Sequence, residues 1–171
     1  LRIEIRRDLG LLVFLPLTAL TVWAAFEYFN STVWLWNEAS LAIRNSVILT
    51  APIIAALAAW SAGRDRRRNL DELLSSTPRP SCSRTLAHWS APAIWGVLIF
   101  AAAAAILIGV TAWRATWGSL HVWPALSGLS ALLAYSAIGF AAGTWIPWRL
   151  TAPITGVLLF VLQALPTYSR S

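Results

Sequence analysis

Long uncharged runs set the first constraint on this chain: residues 9–26, 46–63, 89–113 and the stretch from Leu150 to Arg170. All are too long for core strands. A hydrocarbon layer of about 30 Å is crossed by about 20 helical residues at 1.5 Å each, which is the scale of these runs. A chain of 171 residues has too little volume to hide so much apolar surface from water. Composition agrees, with 58% hydrophobic and 12% charged residues where a soluble domain carries about 25% charged. The sequence therefore predicts an all-α integral membrane protein, and excludes a soluble enzyme, a nucleic-acid binder or a disordered tail as descriptions of the whole chain.

Five membrane spans are expected, at about 9–29, 41–62, 89–113, 121–143 and 150–166, in a single transmembrane domain covering 1–171. Helices fit and barrel strands do not, because the apolar runs lack the alternation of a barrel strand. The 13 basic residues are all arginine. With a cytoplasmic N-terminus, Arg2, Arg6, Arg7, Arg64, Arg66, Arg67, Arg68, Arg79, Arg84 and Arg149 lie inside, and only Arg44, Arg114 and Arg170 lie outside. That is a strong positive-inside bias. Tryptophans follow the same frame: Trp34, Trp36, Trp113, Trp117 and Trp123 mark the outer interface, and Trp60, Trp89, Trp145 and Trp148 the inner one. The absence of lysine and the abundance of alanine suggest a GC-rich coding sequence, and hence a bacterial inner membrane.

Proline accompanies every span. Pro92 and Pro153 are expected in first helical turns, and Pro16 and Pro52 deeper, where they kink a helix as ordinary membrane prolines or as parts of a moving element. Gly139-Phe-Ala-Ala-Gly143, extended by Ala131 and Ser136, is a small-residue motif that permits close helix packing, although such motifs also arise by chance in Ala/Gly-rich spans. Glu27 is the one acid inside an expected span. Arg44 is its first candidate partner and Arg114 its second, as an interfacial ion pair or as the outer mouth of a pathway. His88 and His121 fall on opposite sides of the membrane with no ligand cluster around either, so no metal site is expected. Hydroxyls such as Thr18, Thr21, Thr111, Ser127 and Ser136 are scattered along the spans, most able to bond to their own helix. No nucleophile and base share a site, so enzyme chemistry is unsupported. The single cysteine, Cys82, allows no internal disulfide.

The loop at 63–88 carries the most information. Asn69 and Glu72 form a loose capping box, Asp71 and Glu72 complement the helix dipole, and Leu70, Leu73 and Leu74 line one apolar face. Pro78 and Pro80 close the helix. This predicts a short amphipathic cytoplasmic helix, rooted by arginines at the headgroups. Its leucines either rest on the bilayer or insert into a groove on a cytoplasmic partner.

This stretch resembles the first cytoplasmic loop of type-2 ABC exporter permeases, which reads Glu-x-Gly-Thr-x-Glu-x-Leu followed by Ala-Thr-Pro. Glu72, Leu73, Leu74, Thr77 and Pro78 occupy matching positions, whereas Asn69-Leu70 stands where the family has Gly-Thr. The match covers about 15 residues in motif and most of the chain in topology. The resemblance implies an ATPase-coupling role for Leu70, Glu72, Leu73, Leu74, Thr77 and Pro78, and a separate ATP-binding subunit carrying ATP and Mg. It also implies a second permease half, identical or not, and at least six spans per half, so that a further span is expected beyond these five. The chain has no phosphate-binding Gly-Lys-Ser/Thr loop of its own. A non-transporting structural or assembly subunit of a membrane complex is the alternative.

Overall fold

A computed structural model describes residues 10–27, 35–64, 81–114, 118–119, 121–146 and 148–168. The described residues form six helices: α1 (Gly10–Glu27), α2 (Trp36–Asn45), α3 (Val47–Ala62), α4 (Ser81–Arg114), α5 (Val122–Trp145) and α6 (Thr151–Tyr168). The architecture is all-α. Three helical stretches are long and apolar enough to cross a membrane: Trp36–Ala62, Thr85–Arg114 and Val122–Trp145. Leu15–Phe26 and Thr151–Leu165 are shorter apolar helical stretches.

The helix ends differ from the expected span limits in two places. The second span was expected from residue 41, but its helix starts at Trp36. Asn37 and Glu38 depress the local hydropathy there, yet Ala39, Ser40, Ala42 and Ile43 bury one face of α2 against its neighbours. The helix expected from residue 89 starts at Ser81, so α4 takes in the end of the expected 63–88 loop. Pro92 consequently lies inside α4 rather than in its first turn. Pro16 and Pro52 are interior to α1 and α3.

Helices α2 and α3 meet at Ser46, whose backbone is itself helical (φ −57°, ψ −23°). Its hydroxyl donates to the Ile43 carbonyl at 2.7 Å, and Thr50 donates back to the Ser46 carbonyl at 2.6 Å. The backbone ladder continues through this point, with Ser46 N–H donating to the Ala42 carbonyl at 2.9 Å and Thr50 N–H to the Ser46 carbonyl at 3.3 Å, so no peptide group is left unpaired in apolar surroundings.

Helix α3 is the axis of the bundle, with its most extensive contacts to α5 and α6. Ala51, Ile54, Ala55 and Ala58 are wholly buried on it. It runs parallel to α5, since Val47 lies by Gly128, Ala55 by Gly139 and Ala59 by Gly143. α4 runs antiparallel to both, with Phe100 beside Gly128 and Gly96 beside Ile54 and Leu132. One apolar cluster joins Ala25, Ile43, Val47, Ala51, Phe100, Leu107 and Leu132; a second joins Leu17, Ile54 and Ile99.

This geometry gives the bundle two ends. Trp36, Ser40, Gly118 and His121 meet at one, where the His121 amide donates to Ser40 Oγ at 3.2 Å. Gly118 makes the turn with φ +108° against the Trp36 ring, a conformation suited to glycine. Trp60, Gly63, Trp145 and the start of α4 lie towards the other. Trp113 and Trp123 are strongly exposed near the first end, and Trp145 and Trp148 near the second. Exposed tryptophans at two levels are the pattern of an interfacial belt.

Candidate functional site

The expected coupling residues Leu70, Glu72, Leu73, Leu74, Thr77 and Pro78 lie outside the described residues. The described chain brackets them. Antiparallel packing of α3 and α4 brings Gly63 and Ser81, which flank the segment, to the end of the bundle where α5 finishes at Trp145.

Glu27 closes α1, and its side chain is likewise outside the described residues. Arg44 sits in the last turn of α2 with its side chain exposed, and Arg114 ends α4, also exposed. The expected pairing of Glu27 with either arginine therefore lies outside the described residues. No group of three or more His, Cys, Asp or Glu comes together among them.

Gly139 and Gly143 have defined surroundings. Both are buried on the face of α5 that meets α3. A Cβ at Gly139 would overlap the Ala55 carbonyl oxygen and approach its Cα to 2.7 Å. A Cβ at Gly143 would do the same to Ala59, again 2.7 Å from Cα. The partner face thus carries small residues at the same spacing, Ala55 and Ala59, and two backbones approach where no side chain intervenes. Leu132 and Ser136 continue the buried stripe of α5.

A feature that the sequence did not single out links α1 to α3. Thr21 and Thr50, both buried, place their hydroxyl oxygens 3.3 Å apart across the helix interface. Each also lies within bonding distance of its own helix, Thr21 Oγ1 at 2.7 Å from the Leu17 carbonyl and Thr50 Oγ1 at 2.6 Å from the Ser46 carbonyl. One turn before Thr21, Thr18 is also buried, and its hydroxyl has no hydrogen-bond partner among the described residues. The available signal was the three-residue spacing of Thr18 and Thr21 in an otherwise apolar helix. Thr50, which completes the group, is brought in only by the tertiary fold.

An open groove runs along the outward side of α6, lined by Leu150, Ile154, Val157, Leu158 and Val161. Wholly apolar and strongly exposed, it is the kind of surface that lipid covers. Comparison with protein-family models, with curated proteins and with solved structures finds no match to this chain.

Proposed function

We propose that this chain is one permease half of an ATP-driven exporter of the type-2 ABC class, with α1 and α6 as further spans beside the three long ones. The observation that carries the reading is the segment from Asn69 to Pro80: an apolar Leu70, Leu73, Leu74 face, acids in the first turn and a stop at Pro78 and Pro80, in the connection between α3 and α4. Three leucines are too small an anchor to matter to a protein that already crosses the membrane several times. A groove on a cytoplasmic ATP-binding subunit gives them a purpose. In this reading ATP and Mg bind the partner, Glu72 meets its surface, and the chain moves a lipophilic or amphiphilic cargo outwards from a bacterial inner membrane. A second permease half completes the pathway, and Glu27 with Arg44 lies at its outer mouth.

The second reading, a non-transporting scaffold subunit, draws on the tight seam of α3 and α5, where backbone contact makes a rigid wall. Replacing Leu70, Leu73 and Leu74 together by Ala separates the two. Each leucine contributes roughly 1–3 kcal/mol only if a partner covers it. An exporter half then reaches the membrane at the parent level but loses co-purification of the ATPase and stimulation of ATP hydrolysis. A scaffold subunit retains no ATPase even with its native sequence, and the variant behaves as the parent.

A further inference from the structure

The turn from α5 into α6 carries a positive charge that the described residues do not neutralise. Arg149 is exposed there, between Trp148 and Leu150. The two acids whose helices are described belong to the other end of the bundle. Glu38 is in the first turn of α2 beside Trp36, and Glu27 follows closely on Ala25, which packs with Ile43 and Val47. The turn itself is tied on both sides of Arg149. Thr151 Oγ1 donates to the Ile146 carbonyl at 2.7 Å, and the Thr151 amide donates to the Trp148 carbonyl at 3.3 Å. The charge is thus fixed at the end of the bundle where α5 stops and α6 begins.

The apolar groove of α6 starts at the very next residue, Leu150, and continues through Ile154, Val157 and Val161 to Leu162, all exposed. At 1.5 Å per residue it runs for about 18 Å, close to the roughly 15 Å that one leaflet contributes to the hydrocarbon layer. Trp145 and Trp148 are strongly exposed at the same turn, which sets it at the headgroup level. A fixed cation therefore stands at the headgroup end of an apolar track one leaflet long.

We infer that the α5–α6 turn and this groove bind an anionic phospholipid of the leaflet at the Trp145 end, its phosphate on Arg149 and one acyl chain along α6. Acyl chains wet every outward apolar face and do not by themselves distinguish one lipid from another. The headgroup does. A zwitterionic lipid offers the same phosphate but sets a cation beside it, whereas an anionic lipid brings the guanidinium an uncancelled negative charge. One arginine close to an anionic surface corresponds to about a fivefold preference. Because the turn holds Arg149 where the groove begins, one lipid molecule engages both features together. The inference depends neither on ATPase coupling nor on which side of the membrane this end faces.

Photocrosslinking on the full chain in phosphatidylcholine nanodiscs tests it. Two probes, phosphatidylglycerol and phosphatidylcholine with the same diazirine-bearing acyl chain, are added in trace amounts, and the crosslinked residues are mapped by mass spectrometry. Leu98 and Ile106, exposed on α4, are the internal reference. Relative to that reference, phosphatidylglycerol should label Ile154, Val157 and Val161 about fivefold more than phosphatidylcholine does. R149Q should remove the preference while leaving phosphatidylcholine labelling of α6 at the parent level, which also reports that the variant is inserted. If R149Q does not insert, the ratio in the parent decides. Equal labelling by the two probes overturns the inference, and so does a preference that survives R149Q. Absence of lipid labelling from α6, as when a second copy of the chain covers it, overturns it as well.

Discussion

Gly139 and Gly109 form a matched pair of tests, because both are helical glycines and only one is crowded. A Cβ at Gly109 meets nothing within 4 Å, whereas one at Gly139 collides with the Ala55 carbonyl of α3. G139A should therefore destabilise by about 1–3 kcal/mol, the usual range for overpacking a close-fitted core. G109A should be neutral or stabilise by up to about 1 kcal/mol, since alanine is the better helix former. Thermal unfolding in detergent, followed by circular dichroism, compares them, and equal shifts would deny the close contact of α3 and α5. Ser40 offers a second residue-scale test. S40A removes the acceptor of the His121 amide, worth about 0.5–1.5 kcal/mol, and that amide should exchange with water several-fold faster. An unchanged rate would mean that the bond does not tie the start of α5 to α2. The glycine motif was legible in the sequence, but its partner was not. Ala55 and Ala59 have the matching spacing, yet α3 is so rich in alanine that no pair stands out until the helices are packed.

At the scale of the elements, α4 is the longest, with 34 residues, or about 51 Å. A hydrocarbon layer of about 30 Å leaves about 20 Å to be placed outside it or taken up by tilt. Ser81, Ser83, Arg84, Thr85 and His88 make the first two turns polar, which favours projection at the Ser81 end. Amides at 85–88 should then exchange with water in nanodiscs while those at 95–107 stay protected. Uniform protection from 85 onwards would assign the excess length to tilt. The existence of the long spans was readable because lipid demands unbroken apolar length. Their ends were not, because both extra segments are polar by composition and helical by other means. Trp36–Asn45 folds through a buried face that includes Ser40, and the start of α4 follows directly on Pro80. The misplaced start of α4 also misplaced Pro92, which the sequence put in a first turn.

At the scale of the molecule, the packing joins two facts that the sequence held apart. Parallel α3 and α5, with α4 antiparallel beside both, put Gly118 and His121 with Trp36 at one end and the two flanks of the 65–80 segment at the other. Arginine placement then gives these ends a sidedness: Arg64, Arg66, Arg67, Arg68 and Arg79 cluster in and beside that segment, where the positive-inside bias expects cytoplasm. Ion-pair partners and the coupling contact were not legible, because one depends on side-chain depth and the other on a second protein. Sidedness is what the proposed function needs before anything else, since an ATPase can grip the Leu70, Leu73, Leu74 face only from the cytoplasm. In a background with Cys82→Ser, single cysteines at Ser119 and at Ser76 should be exposed to an impermeant thiol reagent from opposite sides in intact cells. Labelling of Ser119→Cys from outside, with Ser76→Cys reacting only after the membrane is opened, is the predicted result. Labelling of both from outside would contradict the orientation and the ATPase-coupling role together.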